Sequence, residues 1–474
     1  MKALTTYCAV FLSVFISTLV AKTHIVQNGE SIQSVINIAQ KYDTLMVEEG
    51  VYQGNVHLTK SLSLLGRGTT IIHGDGVGSI ITILADSCII RGLTIEHCGT
   101  MLVNEDAGIL VKSSYNTIEQ NSLRDILFGI YLLQSNGNTI ANNTIEGRRH
   151  LEQGERGGGI HLWNSHWNIL SGNVISWTRD GFYIQNANHT LIKENDVHSL
   201  RYGVHYMYAD SNIFLRNNFH DNVAGAAIMY SRGIVMKHNL FVRNRGFASY
   251  GILFQDCHFA AADSNVIADN VVGIFMESST DNFFRTNIIA QNDAALQMFQ
   301  NSINNTFTEN NFIDNLNLLT IVGKRTESHW SFHGKGNYWS NYDGYDVDVN
   351  GIGDVPMKIQ NVFNYLEGKN PNVRLYLYSP ASQALAVSAK AFPIIDLNHE
   401  LDSFPLMIPV DMRWATALRS TYTTPAAASP DDNSNNIAFT LQIFGFSVLG
   451  IALVKVNRIF RTSYVYENCS QKSL

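Results

Sequence analysis

The sequence predicts an all-β chain wound as a parallel β-helix of about 22 residues per coil, and three observations carry that prediction. Asn is abundant, 47 of 474 residues, while Pro is scarce at 8. Asn121, Asn143, Asn173, Asn195, Asn217, Asn239, Asn265 and Asn287 recur in steps of 22, broken once by a step of 30 and once by 26. A Gly follows each of them (Gly129, Gly159, Gly181, Gly203, Gly225, Gly251, Gly273), with Ala295 in the last place. The usual Asn-to-Gly gap of 8 becomes 16 before Gly159 and 12 before Gly251, so insertions of 8 and 4 sit at one corner of the repeat. A 22-residue period is too short for paired helices of about 34 residues. It fits three short strands and their turns, stacked coil on coil at the strand spacing of about 4.8 Å.

Composition agrees. Charged residues are 15%, below the about 25% of ordinary soluble chains. Hydrophobic residues are 45%, enough for a core, which excludes a disordered chain. The net charge of -7 argues against a nucleic-acid partner. Asn and Gly point to many tight turns, and Asn repeated at one corner can form a side-chain amide ladder.

Lys2 precedes an uncharged apolar run from Tyr7 to Ala21, the order of a secretory signal peptide over 1–21. A short buried helix is the alternative. Ser31 to Tyr42 reads as an amphipathic helix that covers the open end of the first coil. The β-helix is expected over 22–335. A capping region over 336–409 and a polar linker over 410–436 follow. Ile437 to Val454 then carries no charge, and Lys455, Arg458 and Arg461 come straight after it. A membrane helix over 437–456 with a cytoplasmic tail over 457–474 would tether the body outside the inner membrane. A docked amphipathic helix is the alternative. Five Cys are no disulfide scaffold. Cys88 and Cys98 could pair, but buried free thiols fit better.

Strand side chains alternate faces. Positions one and three after each repeat Gly are apolar, such as Phe182 and Ile184 or Val204 and Tyr206, and should fill the interior. Positions two and four then face outward. Met207 and Met229 fall in one outward column on adjacent coils, and His205 lies two residues from Met207 on the same face. His161 shares the His205 column two coils earlier. Thioether sulfur selects Cu(I) over hard cations, and imidazole also binds copper. These residues therefore form a candidate copper site, which the two insertions could wall. The alternative is that loops cover the face and the Mets pack beneath them. His198 and His220 also stack one coil apart, as a weaker second copper site or as solvated corner residues. Asp180, Asp210, Asp221 and Asp269 sit beside Gly or Asn, where turn-making is expected. The outward face lacks the paired carboxylates that sugar cleavage needs, so no enzyme is assembled. Trp163 and Tyr183 could still stack on sugar rings, which leaves a carbohydrate-binding reading. A surface adhesion scaffold is a third.

After the coils, Asp346, Asp348, Asn350, Gly351 and Asp354 resemble the first half of a calcium loop, although Met357 stands where its last carboxylate belongs. A polar turn capping the β-helix is the alternative.

The 22-residue pattern resembles the right-handed β-helix repeats of carbohydrate-binding and sugar-hydrolase proteins. Some strings are far more specific. Gly159-Ile-His-Leu-Trp163, Arg179-Asp-Gly-Phe-Tyr183, Arg201-Tyr-Gly-Val-His-Tyr-Met-Tyr208 and Ala226-Ala-Ile-Met-Tyr-Ser231 resemble the NosD family. The Gly336 to Pro356 block, Ser379 to Leu385 and Pro405 to Met407 do so as well, and the likeness spans roughly 24 to 409. The resemblance implies a periplasmic, non-enzymatic copper-binding accessory protein of nitrous oxide reductase maturation. Its implied partners are an ABC transporter (ATPase and membrane subunit), a copper chaperone that donates the metal, and apo-nitrous oxide reductase, whose copper-sulfide centre results. The candidate membrane helix lies outside the family pattern.

Overall fold

The structure, a computed structural model, describes residues 21–411 apart from 324, 361–365, 367–369, 377–378, 382–383 and 385–399. The expected signal peptide (its residues 1–20), the linker beyond 411 and the expected membrane helix lie outside the described residues. Among the described residues, no helix is long and apolar enough to cross a membrane.

The chain forms a parallel solenoid of three sheets with 13, 12 and 13 strands. One coil consists of Leu191–Lys193, Asp196–His198 and Tyr202–Met207; the next runs Ile213–Leu215, Asn218–His220 and Ala224–Arg232. Pairing is in register at the repeat distance: Ile192 opposite Phe214, Val197 opposite Phe219, Val204 opposite Ala226. Each inward side chain therefore lands on its counterpart one coil away. The interior is aliphatic at the N-terminal end and aromatic further on, with Phe284 stacked on Phe307 at 4.6 Å and Phe312 on Trp339 at 4.2 Å. Cys88, Cys98 and Cys257 are free thiols inside this core.

The expected amide ladder is present, and it is one of three. From Asn121 every amide donates to the Asn of the next coil, through Asn143, Asn173, Asn195, Asn217, Asn239, Asn265, Asn287 and Asn310 to Asn337, each at 2.9–3.0 Å. The second proton of each amide goes to a backbone carbonyl, as from Asn217 to Ile192 at 2.9 Å. A second corner carries Asn116, Asn138 and Asn168; the third carries Asn222, Asn244, Asn270, Asn292 and Asn315. A buried amide that fills all its bonds avoids the penalty of an unmade one.

The turn chemistry differs from the expectation. The left-handed residue at the main corner is the one before the Asn, and it is usually neither Asn nor Gly: Gln120, Glu194, Arg216 and His238 have φ of 56°, 57°, 53° and 55°. The ladder bonds offset the local cost of that conformation. The repeat glycines are not turn residues at all. A Cβ on Gly203 would sit 2.5 Å from the carbonyl oxygen of Gly225, and one on Gly225 equally close to that of Gly251. They form a column where backbones of adjacent coils approach too closely for any side chain.

The N-terminal end is covered by a helix at Ile32–Ile38, shorter than expected. Ser31 caps it, and Ile32 and Ile36 face the core. At the other end, Met357–Lys358 pairs antiparallel with Leu401–Asp402. Asp402 accepts from the Asn337 N–H at 2.7 Å and from Trp339 Nε1 at 3.0 Å, which ends the ladder. Glu400 accepts from Trp330 Nε1 at 2.7 Å.

Asn217→Ala removes one rung and leaves the Asn195 backbone N–H and one proton of its side-chain amide without the acceptor they share. It is expected to destabilise the chain by about 2–4 kcal/mol, read as a lowered urea midpoint against wild type.

Candidate metal centre

The outer face of the 12-strand sheet carries the residues that the repeat places outward. Register pairs His161 with Tyr183, Tyr183 with His205, and His205 with Ala227. The adjacent column pairs Gln185 with Met207 and Met207 with Met229. Both thioethers are half-buried and next to each other, with His205 two residues from Met207 on the same face. Tyr208 and Tyr230 flank the same two coils, their rings stacked at 5.0 Å and 12°. The next place in the His205 column is taken by Ala227, a small side chain that is itself buried.

His205 is held from beneath. Its Nδ1 lies 3.2 Å from Asp180 Oδ2. Asp180 is fully buried and takes a two-point contact from Arg201, Nε at 2.9 Å and Nη2 at 2.7 Å, with Arg179 Nε at 3.4 Å. Burial alone pushes the Asp180 carboxyl up; the hydrogen bonds from His205 and Arg201 outweigh it and hold the group below its ordinary value. A carboxylate on one imidazole nitrogen fixes the ring and leaves the other nitrogen to coordinate. Asp180 is therefore no turn residue. The coil repeat contained the signal: Arg179 and Arg201 occupy the same place in consecutive coils, two residues before the Gly. Asp221 and Asp269, with φ of 53° and 55°, do make turns.

His161 is not beside the thioethers. Tyr183 stands between it and His205. Its ring is 6% exposed and boxed by Tyr183 at 4.3 Å, Tyr131 at 4.4 Å, Phe128 at 5.9 Å and Trp163 at 6.4 Å. Neither ring nitrogen has a hydrogen-bond partner, and burial pushes the imidazole down to about 3. Trp163 and Tyr183, offered by the sequence as a sugar platform, are engaged in this box.

The first insertion lines a cavity of about 650 Å³ with Gln153 and Arg156, and the regular corner residues Arg243 and Arg245 reach it from the coil that carries the second insertion. It lies at the corner beside Trp177, Leu200 and Val223, and its lining does not include His205, Met207 or Met229.

His198 and His220 do stack, at 5.0 Å and 21°. Both nitrogens of His220 face carboxylates, Nε2 to Asp196 at 3.0 Å and Nδ1 to Asp221 at 2.6 Å. Burial pushes His220 down, but the bonds to Asp196 and Asp221 prevail and raise it to about 9. A protonated, doubly bonded imidazole offers no lone pair to a metal. In the calcium-like loop the carboxylates turn onto the loop itself. Asp346 accepts from the N–H groups of Asn350 (3.1 Å) and Gly351 (2.8 Å), and Asp354 from that of Val347 (2.7 Å). Asp348 accepts from the Asn350 side chain at 2.9 Å, and Met357 is in the antiparallel cap. Among the described residues, no three of His, Cys, Asp or Glu gather as a metal cage.

Fold and face together define a parallel β-helix that displays a soft-ligand patch. A family model described as right handed beta helix region matches residues 54–154, and one described as periplasmic copper-binding protein (NosD) matches 142–344. A Pseudomonas aeruginosa protein called probable ABC transporter binding protein NosD is 38% identical over 374 residues, 76% of this chain and 86% of that protein. Its Stutzerimonas stutzeri namesake is 34% identical over 375 residues, 76% and 85% of the two chains. The chain belongs to the NosD family. Among solved structures it is similar to the Azotobacter vinelandii mannuronan C-5 epimerase AlgE6 A-module (TM-score 0.52, 15% identity, 64% of this chain and 94% of that one). It is also similar to the catalytic domain of a GH87 alpha-1,3-glucanase (TM-score 0.51, 14% identity, 67% and 69%). At such identities the likeness shows the fold alone.

Two outcomes follow from this geometry. The folded chain holds the His220 proton more tightly than the unfolded chain, so that stabilisation is complete below pH 6.5 and lost as pH rises toward about 9. His220→Gln should flatten the fall in thermal midpoint across that window. His161→Leu replaces two unpaired buried nitrogens with an apolar group. It should stabilise by about 1 kcal/mol, read from urea denaturation.

Proposed function

We propose that the chain accepts Cu(I) on His205, Met207 and Met229 in the periplasm and passes it to apo-nitrous oxide reductase for assembly of its copper-sulfide centre. The observation that carries this reading is the register of Met207 with Met229 beside a histidine anchored by Asp180. Two thioethers and one imidazole form a soft set that prefers Cu(I) to the hard cations. The half-buried placement leaves the set reachable, as cargo transfer requires. Family membership and the relatives' names support a binding role alongside an ABC transporter, whose ATPase and membrane subunits would act with this chain. A membrane-attached copper chaperone supplies the metal. The segment over 437–456, uncharged as far as Val454, would hold the body at the inner membrane. The protein acts without catalysis of its own.

Cu(I) titration against a chromogenic chelator tests the site. Replacing His205, Met207 and Met229 together with Ala should abolish retention on this face; unchanged affinity would overturn the assignment. In cells, deletion should yield nitrous oxide reductase that lacks its copper-sulfide centre, read from metal content and activity. A fully metallated reductase would refute the delivery role.

A further inference from the structure

Two loops near the N-terminal end leave the regular coil on the same side. One joins Thr94–Glu96 to Ala107–Val111, and the other is the first insertion, after Thr144–Gly147. Between them is a cavity of about 670 Å³ lined by His97, Met101, Leu102, Val103, Arg148 and His150. We propose that His97, Met101 and His150 form a second Cu(I) site, a capture point separate from the strand-face centre. The identity of the metal rests on the copper reading above; the location does not.

Each donor is carried by a fixed piece of backbone. Arg148 is buried, and its guanidinium donates to the carbonyls of Cys98 at 2.7 Å and Gly99 at 3.2 Å, which ties the second loop to the first. The Met101 N–H donates to Asp106 Oδ2 at 3.0 Å, and Asp106 is itself buried. The His97 ring stacks on His73 at 4.6 Å and 13°, and His73 Nδ1 lies 3.1 Å from Glu96. The second loop closes on a capping box between Glu152 and Glu155. His97 and His150 are exposed, Met101 is 53% exposed, and the rim is apolar with Val103 81% exposed. A thioether between two imidazoles suits Cu(I). Hard cations need a shell of oxygens, and no cage of His, Cys, Asp or Glu is gathered among the described residues. The two carboxylates that also line the cavity are engaged, Asp125 at 3.7 Å from Arg148 and Glu155 accepting the Glu152 N–H at 3.2 Å, so the sulfur completes the set beside the imidazoles. Placed on exposed loops, this set can meet a donor protein, whereas the anchored His205 set can retain what it receives.

The test uses the full chain titrated with Cu(I) under reducing conditions against a chromogenic chelator. Wild type is expected to hold two equivalents. The variant His97→Ala, Met101→Leu, His150→Ala should hold one, and so should the His205, Met207, Met229 triple variant; the six-fold variant should hold none. A loop variant that keeps both equivalents at wild-type affinity overturns the proposal. A strand-face variant that keeps both overturns the strand-face reading and leaves the loop site standing. The single variant Met101→Leu, which keeps the shape and removes the sulfur, guards against misfolding: it should lose the loop equivalent with an unchanged thermal midpoint. Zn(II) held at the loops as tightly as Cu(I) would overturn the soft-metal assignment.

Discussion

The amide ladder is the constraint on which the rest of this structure depends. A parallel solenoid buries polar backbone at every corner, and each corner must place its N–H and carbonyl groups. Here an Asn side chain does so on each coil from Asn121 on, accepting a backbone N–H and donating both amide protons. The bonds are short and repeat at one geometry, so they fix the spacing and phase of successive coils. Once phase is fixed, every strand is in register. Met207 meets Met229 because Asn195, Asn217 and Asn239 hold three consecutive coils in step.

The candidate centre is thus a by-product of strict periodicity plus two local exceptions. One exception is Asp180, a carboxylate buried where the next two coils carry Tyr202 and Ala224, neutralised by Arg201 and bonded to His205. A buried charge is tolerated only when paired and hydrogen-bonded. That requirement gives His205 its fixed orientation. The other is Ala227, a small buried side chain next to the imidazole in its column. His161, in the same column, has no such support and sits in an aromatic box with both nitrogens idle.

Much of this was legible in the sequence. The Asn and Gly spacing gave the strand order, the inward and outward columns and the Met207–Met229 pair, because a fixed period maps residue number onto position. Three features were not. The glycine column looked like turn chemistry, since spacing cannot tell a left-handed residue from a close backbone approach. Asp180 looked like a turn residue because it precedes Gly181, and its partner Arg201 lies a coil away. The loop from His97 to Asp106 escaped notice because it precedes the first regular Asn.

The main ladder also has a direction. Every amide from Asn121 to Asn337 points its N–H toward the next coil, so the side-chain dipoles add instead of cancelling. The column ends on the carboxylate of Asp402, which receives the last donors. The solenoid therefore resembles a stacked, polarised wire with a negative plug at one end. Its two ends are electrically unlike, and a new coil could extend it only by displacing that plug. End-to-end growth between copies, the standing hazard of open strand edges, is opposed at that end by the antiparallel pair that carries this carboxylate.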